Sequence, residues 1–256
     1  MRIARIEIPS GGRCWAVADG PEWAPLEGAP WEEVRPTGGR VRAVRLLAPV
    51  TPSKVVAVGA NYAQHAAEMG KPVPRVPKIF LKAPSAVIGP EDPIRIPPET
   101  QRVDPEGELA VVIGRRIDWR TPREAVLGAV FGYTALDDVT CRDFQAADGV
   151  FARAKGFDSF CPVGPWIETD LDPSDLAVQT AVNGTVRAQG RTSEMVFDVP
   201  TLLAFVAAVM TLEPGDLLAT GTPAGVAPIH AGDRVEVTLQ GIGTLANPVV
   251  DREDRC

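Results

Sequence analysis

The chain has 256 residues, 45% of them hydrophobic, and 33 acidic residues against 26 Lys and Arg give a formal net charge of −7. A chain of this size can bury a full core, as one large domain or as a large domain with a small appendage, while its acidic balance excludes the clustered basic face that nucleic acid requires. Its four cysteines, Cys14, Cys141, Cys161 and Cys256, are scattered without a C-x-x-C pair, so reduced thiols are expected rather than a disulfide framework or a structural zinc.

The N-terminal MRIARIEIPSGGR interrupts every apolar run before it reaches the length of a signal segment or a membrane span, so a cytoplasmic protein with no membrane partner is expected. Residues 2–8 and 14–18 flank Ser10-Gly11-Gly12, a hairpin signal. Residues 20–40 are rich in Pro, Gly and Trp and read as loops with room for one short helical turn. A boundary falls near Ala48-Pro49-Val50-Thr51-Pro52, dividing a small N-terminal β domain (1–50) from a larger domain (51–256).

From Lys54 onward, short strand patterns follow one another: 55–61, 78–83, 107–114, 176–184, 216–221 and 233–243, punctuated by Pro and Gly. Helical periodicity is confined to 124–133 and 200–210, too little for a doubly wound sheet with a helix between most strands. The expected fold is α+β and β-dominated, with a few short helices.

In RVDPEGELAVVIG, Glu106 and Glu108 lie two apart at the start of a β-branched run, which places both side chains on one face of a strand. Burying two such carboxylates without compensation raises at least one pKa and destabilises the fold, and a bound cation removes that penalty. A third acid is available from Asp137 or Asp138, placed after the apolar helix expected at 124–133. All-oxygen ligation favours a hard ion, Mg²⁺ first, with Mn²⁺ or Ca²⁺ as alternatives; two histidines without ligand spacing argue against zinc. By spacing alone, a solvated strand edge explains E-x-E equally well.

Other candidates lie around this set. His65 and Glu68 are three apart in a segment able to form a helical turn, where the carboxylate would fix the imidazole tautomer; a surface ion pair is the alternative. Arg142 and Gln145 follow Asp138 by four and seven positions, so one helical turn could gather all three, and Lys155 precedes a loop from which it can reach inward. Thr220-Gly221-Thr222-Pro223 lacks a P-loop ending and reads as a carboxylate-binding turn, while His230 reads as an exposed loop histidine.

In order along the chain, GANYAQHAAE, PKIFLKAPSAVIGP, VDPEGELAVVIG, GYTALDDVTCRDFQ, ARAKGFDSFCPVGPW, VNGTVRAQGRTSEMVF and TLEPGDLLATGTPAGV resemble the fumarylacetoacetate hydrolase superfamily from about Lys54 to Val250. The resemblance implies a mixed β-sandwich or roll, usually a homodimer, with the short N-terminal β segment of its bacterial aromatic-degradation branch. It implies that Glu106, Glu108 and Asp138 hold Mg²⁺ or a similar ion, and the D-[VM]-[ST]-x-R-D pattern selects Asp138 over Asp137. His65 and Glu68 match the pair that activates water or moves a proton. Arg142, Gln145 and Lys155 match oxyanion and metal-side donors, and Lys82 and Thr222 match positions lining the substrate pocket. The extra acidic ligand of animal fumarylacetoacetase is absent from VAVGAN, which points to the smaller three-ligand enzymes.

The activity so implied is hydrolysis of a C–C bond in a small 2-oxo or 1,3-dioxo acid of the acylpyruvate type. Decarboxylation of an oxaloacetate-like acid and isomerisation of a hydroxymuconate-type acid share the same motifs. A non-catalytic metal-binding β-protein is the non-enzyme alternative. A two-carboxylate glycosidase is disfavoured, because side chains of E-x-E on one strand stand closer than that chemistry requires.

Overall fold

The structure, a computed structural model, describes residues 1–252. The N-terminal strands are β1 (Arg2–Glu7), β2 (Arg13–Asp19), β3 (Glu22–Pro25) and β4 (Arg45–Leu47). Then come β5 (Val55–Gly59), helix α1 (Ala63–Glu68), β6 (Lys78–Lys82), β7 (Val87–Ile88), β8 (Ile94–Ile96), β9 (Val103–Asp104) and β10 (Gly107–Ile113). They are followed by β11 (Val130–Asp137), β12 (Thr140–Cys141), α2 (Arg142–Asp148), α3 (Ala152–Lys155), β13 (Cys161–Glu168), β14 (Ala177–Val182) and β15 (Thr185–Arg191). Helix α4 (Val199–Val209), β16 (Leu217–Ala219), β17 (Arg234–Leu239) and β18 (Gly243–Asp251) complete the chain. The fold is α+β and strand-dominated, as the sequence implied.

The large sheet runs β3-β2-β1-β13-β11-β10-β16-β5-β6, with β4 added to β1 and β7 to β13; a second sheet runs β15-β14-β17-β18-β8, and β9 pairs with β12. The N-terminal strands continue the large sheet, because β1 pairs antiparallel with β13 through Arg2↔Glu168 and Ile3↔Ile167. All seven residues of β10 are buried, the near-continuous apolar run expected of a strand covered on both faces. Leu109, Val111 and Ile113 join a core with Val178, Val235 and Val237 of the second sheet and Leu202 and Val206 of α4. Ala110 and Val112 join the opposite core with Val55, Ala57, Val163 and Leu217. Helix α4 forms where predicted: the Asp198 side chain caps it by accepting from Thr201 N, Pro200 occupies its first turn, and Leu202, Leu203, Val206 and Ala207 are buried at helical spacing.

The helix expected over 124–133 does not form. Short 3-10 turns occupy Arg123–Ala125 and Leu127–Ala129, and β11 begins at Val130. A short apolar run fits either period, and pairing to β10 on one side and β13 on the other decides it by satisfying the backbone of β11, whose last six residues are buried. Residues 20–40 contain β3 rather than a helical turn, with bridges Trp23↔Val41 and Leu26↔Pro36 organising the rest. Among the described residues, no helix is long and apolar enough to cross a membrane. Cys14, Cys141 and Cys161 are free thiols, and Cys256 lies outside the described residues.

Candidate active site

The acidic centre is built where β10 and β11 meet. Glu106 precedes β10 and Glu108 is its second residue; the register pairs Gly107 with Asp137, and Asp138 N donates to Glu106 O at 2.8 Å. This pairing brings one carboxylate oxygen each from Glu106, Glu108 and Asp138 within 4.8 Å of one another, and all three residues are buried. Three buried carboxylates this close, all offering hard oxygen donors, suit one divalent cation.

The protein's own cations surround this centre. Lys155 Nζ donates to Glu106 Oε2 at 2.7 Å and to Asp138 Oδ2. Lys82 Nζ donates to Asp138 Oδ1 at 2.6 Å and to the Lys155 carbonyl at 2.7 Å. Arg142 Nη2 donates to Glu106 Oε1 at 2.6 Å, while its Nε holds Asp104 Oδ2 at 2.8 Å. Gly221 N donates to Glu108 Oε2 at 2.7 Å from a backbone with φ +98°, where a Cβ would come within 2.8 Å of Asn61 Cβ.

The two glutamates are driven apart electrostatically. Burial pushes the Glu106 carboxyl up, but Arg142, Lys155 and His65 together outweigh it and hold the group well below the ordinary carboxylate range. For Glu108, burial and the nearby Asp138 and Glu106 charges all act upward and leave it well above that range, against smaller opposition from Lys155 and Gly221 N–H. Burial lowers the Lys155 ammonium, yet Asp138 and Glu106 overcome this and keep it raised and charged.

Helix α1 carries the imidazole. His65 Nδ1 lies 3.1 Å from Glu68 Oε2, and Nε2 lies 3.7 Å from Glu106 Oε1. Glu68 is itself held by Gly225 N, at 3.1 and 3.2 Å to its two oxygens. The pocket over these groups measures about 710 Å³ with its open mouth, and Phe80 and Phe151 form an apolar wall. His65, Glu106, Glu108, Asp138, Gln145, Lys155 and Thr222 line it, and Thr222 Oγ1 is buried there without a hydrogen-bond partner among the described residues.

Three expected site residues stand behind this lining. Lys82, expected to line the substrate pocket, is fully buried against Asp138, because an ammonium in this setting needs a carboxylate partner. Glu68 and Arg142 contact lining residues instead, Glu68 at His65 and Arg142 at Glu106. The single helical turn expected to carry Asp138, Arg142 and Gln145 is not found: Asp138 follows the sheet, β12 intervenes, and α2 starts at Arg142. His230 is exposed in its loop, as expected.

Sequence reasoning missed Asp104 and the role of Asp137. Asp104 is fully buried between Arg142 and Arg102, and its place two residues before Glu106 extended the D-x-E-x-E alternation. Asp137 accepts Glu106 N at 2.7 Å; burial, partly offset by that N–H, raises its carboxyl to about 7.

A family model described as fumarylacetoacetate (FAA) hydrolase C-terminal matches residues 54–250, and one described as Rv2993c-like, N-terminal matches residues 1–49. Protein Rv2993c of Mycobacterium tuberculosis is 50% identical over 262 residues, which is 98% of either chain. The structure of 5-carboxymethyl-2-hydroxymuconate delta-isomerase from Mycobacterium smegmatis superposes with a TM-score of 0.90 at 47% identity, covering 98% of this chain and 100% of that one. The mitochondrial oxaloacetate tautomerase fahd2 of Xenopus laevis is 41% identical over 220 residues, 81% of this chain and 69% of its own. With its acidic centre assembled from the segments that carried the resemblance and a family match over most of its length, the chain belongs to the fumarylacetoacetate hydrolase family of enzymes.

Proposed function

We propose that this enzyme moves a proton at the carbon beside the carbonyl of a small 2-oxo acid, a tautomerase or isomerase reaction, with one divalent cation held by Glu106, Glu108 and Asp138. The observation that carries it is the placement of His65 in the pocket wall, backed by Glu68 at 3.1 Å and with Nε2 3.7 Å from Glu106. A hard cation, Mg²⁺ before Mn²⁺ or Ca²⁺, supplies Lewis-acid polarisation of the substrate carbonyl when bound. Glu68 accepts a hydrogen bond from Nδ1–H, which leaves the Nε2 lone pair to take a proton from the substrate and return it. Gln145 has its Oε1 held by Arg142 Nη1 at 3.1 Å, so its amide N–H groups are free to donate to a substrate oxygen. Lys155 keeps positive charge beside the developing enolate. Phe80 and Phe151 exclude water from one side.

Proton transfer is placed ahead of C–C hydrolysis, the leading expectation from the sequence, because relatives covering most of the chain are named as an isomerase and a tautomerase. Hydrolysis is the second reading, favoured by the description of the matching family model; there His65 would take its proton from water. The test is a Mg²⁺ and Mn²⁺ assay against oxaloacetate, hydroxymuconate-type acids and acylpyruvates, with products followed directly. Loss of enol absorbance or a shifted chromophore without CO₂ or acid release supports proton transfer. Release of two acids from an acylpyruvate, with no tautomerase rate, establishes hydrolysis in its place, and CO₂ release establishes decarboxylation. The resemblance also supports a homodimer as the working unit, which light scattering of the purified protein tests.

A further inference from the structure

We infer that Asn61 is a positioning residue, the clamp that holds the His65–Glu68 helix in register with the acidic centre; this rests on the reading of His65 as the proton-moving group. Asn61 is fully buried in the turn between β5 and α1. Its Nδ2 donates to Thr220 O at 2.8 Å and to Phe197 O at 3.0 Å, and its Oδ1 accepts from Phe197 N at 2.9 Å. Its carbonyl accepts from Val196 N at 2.7 Å. One amide thus ties together the entry to α1, the segment around Phe197, and the end of β16 that leads to the Gly221 donor. The backbone around it is shaped for this contact. Ala60, which lines the pocket, adopts φ +58°, a left-handed conformation that a side chain disfavours, and Gly221 leaves the space that Asn61 Cβ needs.

The two sides of the clamp are unequally supported. Thr220 is tied independently to Leu109 O, by its N–H at 3.1 Å and its Oγ1 at 2.9 Å, and Gly221 N is tied to Glu108. Helix α1 has six residues and no side-chain cap among the described residues; besides Asn61, the Glu68–Gly225 contact, the Tyr62↔Met195 bridge and the burial of His65 and Ala66 hold it. Removing the amide donors therefore releases α1 and leaves the acidic centre in place.

The test uses Asn61→Asp, which keeps the shape but loses both Nδ2 donations, and Asn61→Ser, which removes the whole carboxamide without adding charge and is read identically should the first variant fail to fold. Amide hydrogen exchange and Mn²⁺ titration are measured without substrate, and kcat and KM on the 2-oxo acid that wild type turns over fastest. Exchange over 62–69 is expected to speed by about tenfold or more while 107–113 stays protected, with Mn²⁺ Kd within about twofold of wild type. On the same variants kcat is expected to fall by about tenfold or more with KM nearly unchanged, since misplacing the base weakens only the chemical step. Unchanged exchange over 62–69, or Mn²⁺ affinity lost in parallel with kcat, overturns the clamp. Faster exchange at intact Mn²⁺ affinity upholds it even where His65→Ala retains turnover, in which case the role given to His65 fails on its own.

Discussion

Lys82→Met isolates the electrostatic balance of the acidic centre from its chemistry. The Lys82 ammonium is fully buried, 2.6 Å from Asp138 Oδ1 and 2.7 Å from the Lys155 carbonyl, and it does not face the pocket. Three buried acids, Glu106, Glu108 and Asp138, are opposed by Lys82, Lys155 and Arg142, and Arg142 is shared with Asp104. Met keeps most of the apolar stem, so the substitution removes charge with little cavity. Asp138 is then left to Lys155 alone, and removing one partner of a buried pair costs about 3–5 kcal/mol because the remaining carboxylate is not rehydrated. For a chain of this size each kcal/mol moves Tm by roughly 2–4 °C, so the variant should melt roughly 10 °C below wild type in excess chelator. Excess Mg²⁺ supplies positive charge at the same carboxylates and should narrow that gap by about half or more. Calorimetry or circular dichroism melts of both proteins, with chelator and with Mg²⁺, make the comparison. A drop in chelator below about 2 °C, or a gap that Mg²⁺ widens, refutes the charge-balance reasoning.

Three further outcomes are expected. Glu106→Gln removes a charged ligand while retaining its size, so Mn²⁺ affinity measured by calorimetry should weaken by more than about tenfold and activity should vanish; wild-type rates in excess chelator would remove the metal from the reaction. His65→Ala should retain the melting temperature and Mn²⁺ affinity yet lose about 100-fold or more in kcat, and an unchanged kcat would show that the imidazole moves no proton in the rate-limiting step. The raised Glu108 carboxyl sets a pH dependence. A group whose pKa is higher folded than unfolded contributes stability at low pH that is lost as pH rises through its folded value, so the metal-free protein should lose that contribution as pH rises above the ordinary carboxylate range. Mg²⁺ displaces the proton, so the gain in Tm on adding Mg²⁺ should grow as pH is raised. A gain independent of pH would show that Glu108 is already ionised in the metal-free fold.

Strand β10 of the acidic centre was legible because burial on both faces imprints a simple pattern: ELAVVI reads as a buried strand and is one. His65 and Glu68 were legible through helical spacing, although α1 is only six residues long. The positions of Lys82 and Asn61 were not, because each is fixed by partners 56 or more residues away and no local pattern records them: Lys82 by Asp138, Asn61 by Phe197 and Thr220. Asp104 shared the local D-x-E-x-E alternation, but its burial depends on Arg142, 38 residues away. Fully buried Lys, Asp and Asn residues are informative only once their partners are known.

The choice between Asp137 and Asp138 shows how one misread element hides a site. With 124–133 taken as a helix, no register relates either aspartate to Glu106 and Glu108, and only the resemblance selects Asp138. With β11 as a strand, the selection follows from pleat alone. Glu108 pairs with Leu136, and Leu136 lies in the same core as Ala110 and Val112, so the even-numbered residues of both strands share one face. Continuing that alternation by two places Asp138 on the face of Glu106 and Glu108, next to Glu106, whose carbonyl accepts its N–H. Asp137 falls on the other face, where its carboxylate accepts from Glu106 N and braces the ligand-bearing turn from behind. The adjacent acids therefore take different places because a strand turns successive side chains to opposite sides, one toward the acidic centre and one toward the backbone that carries it.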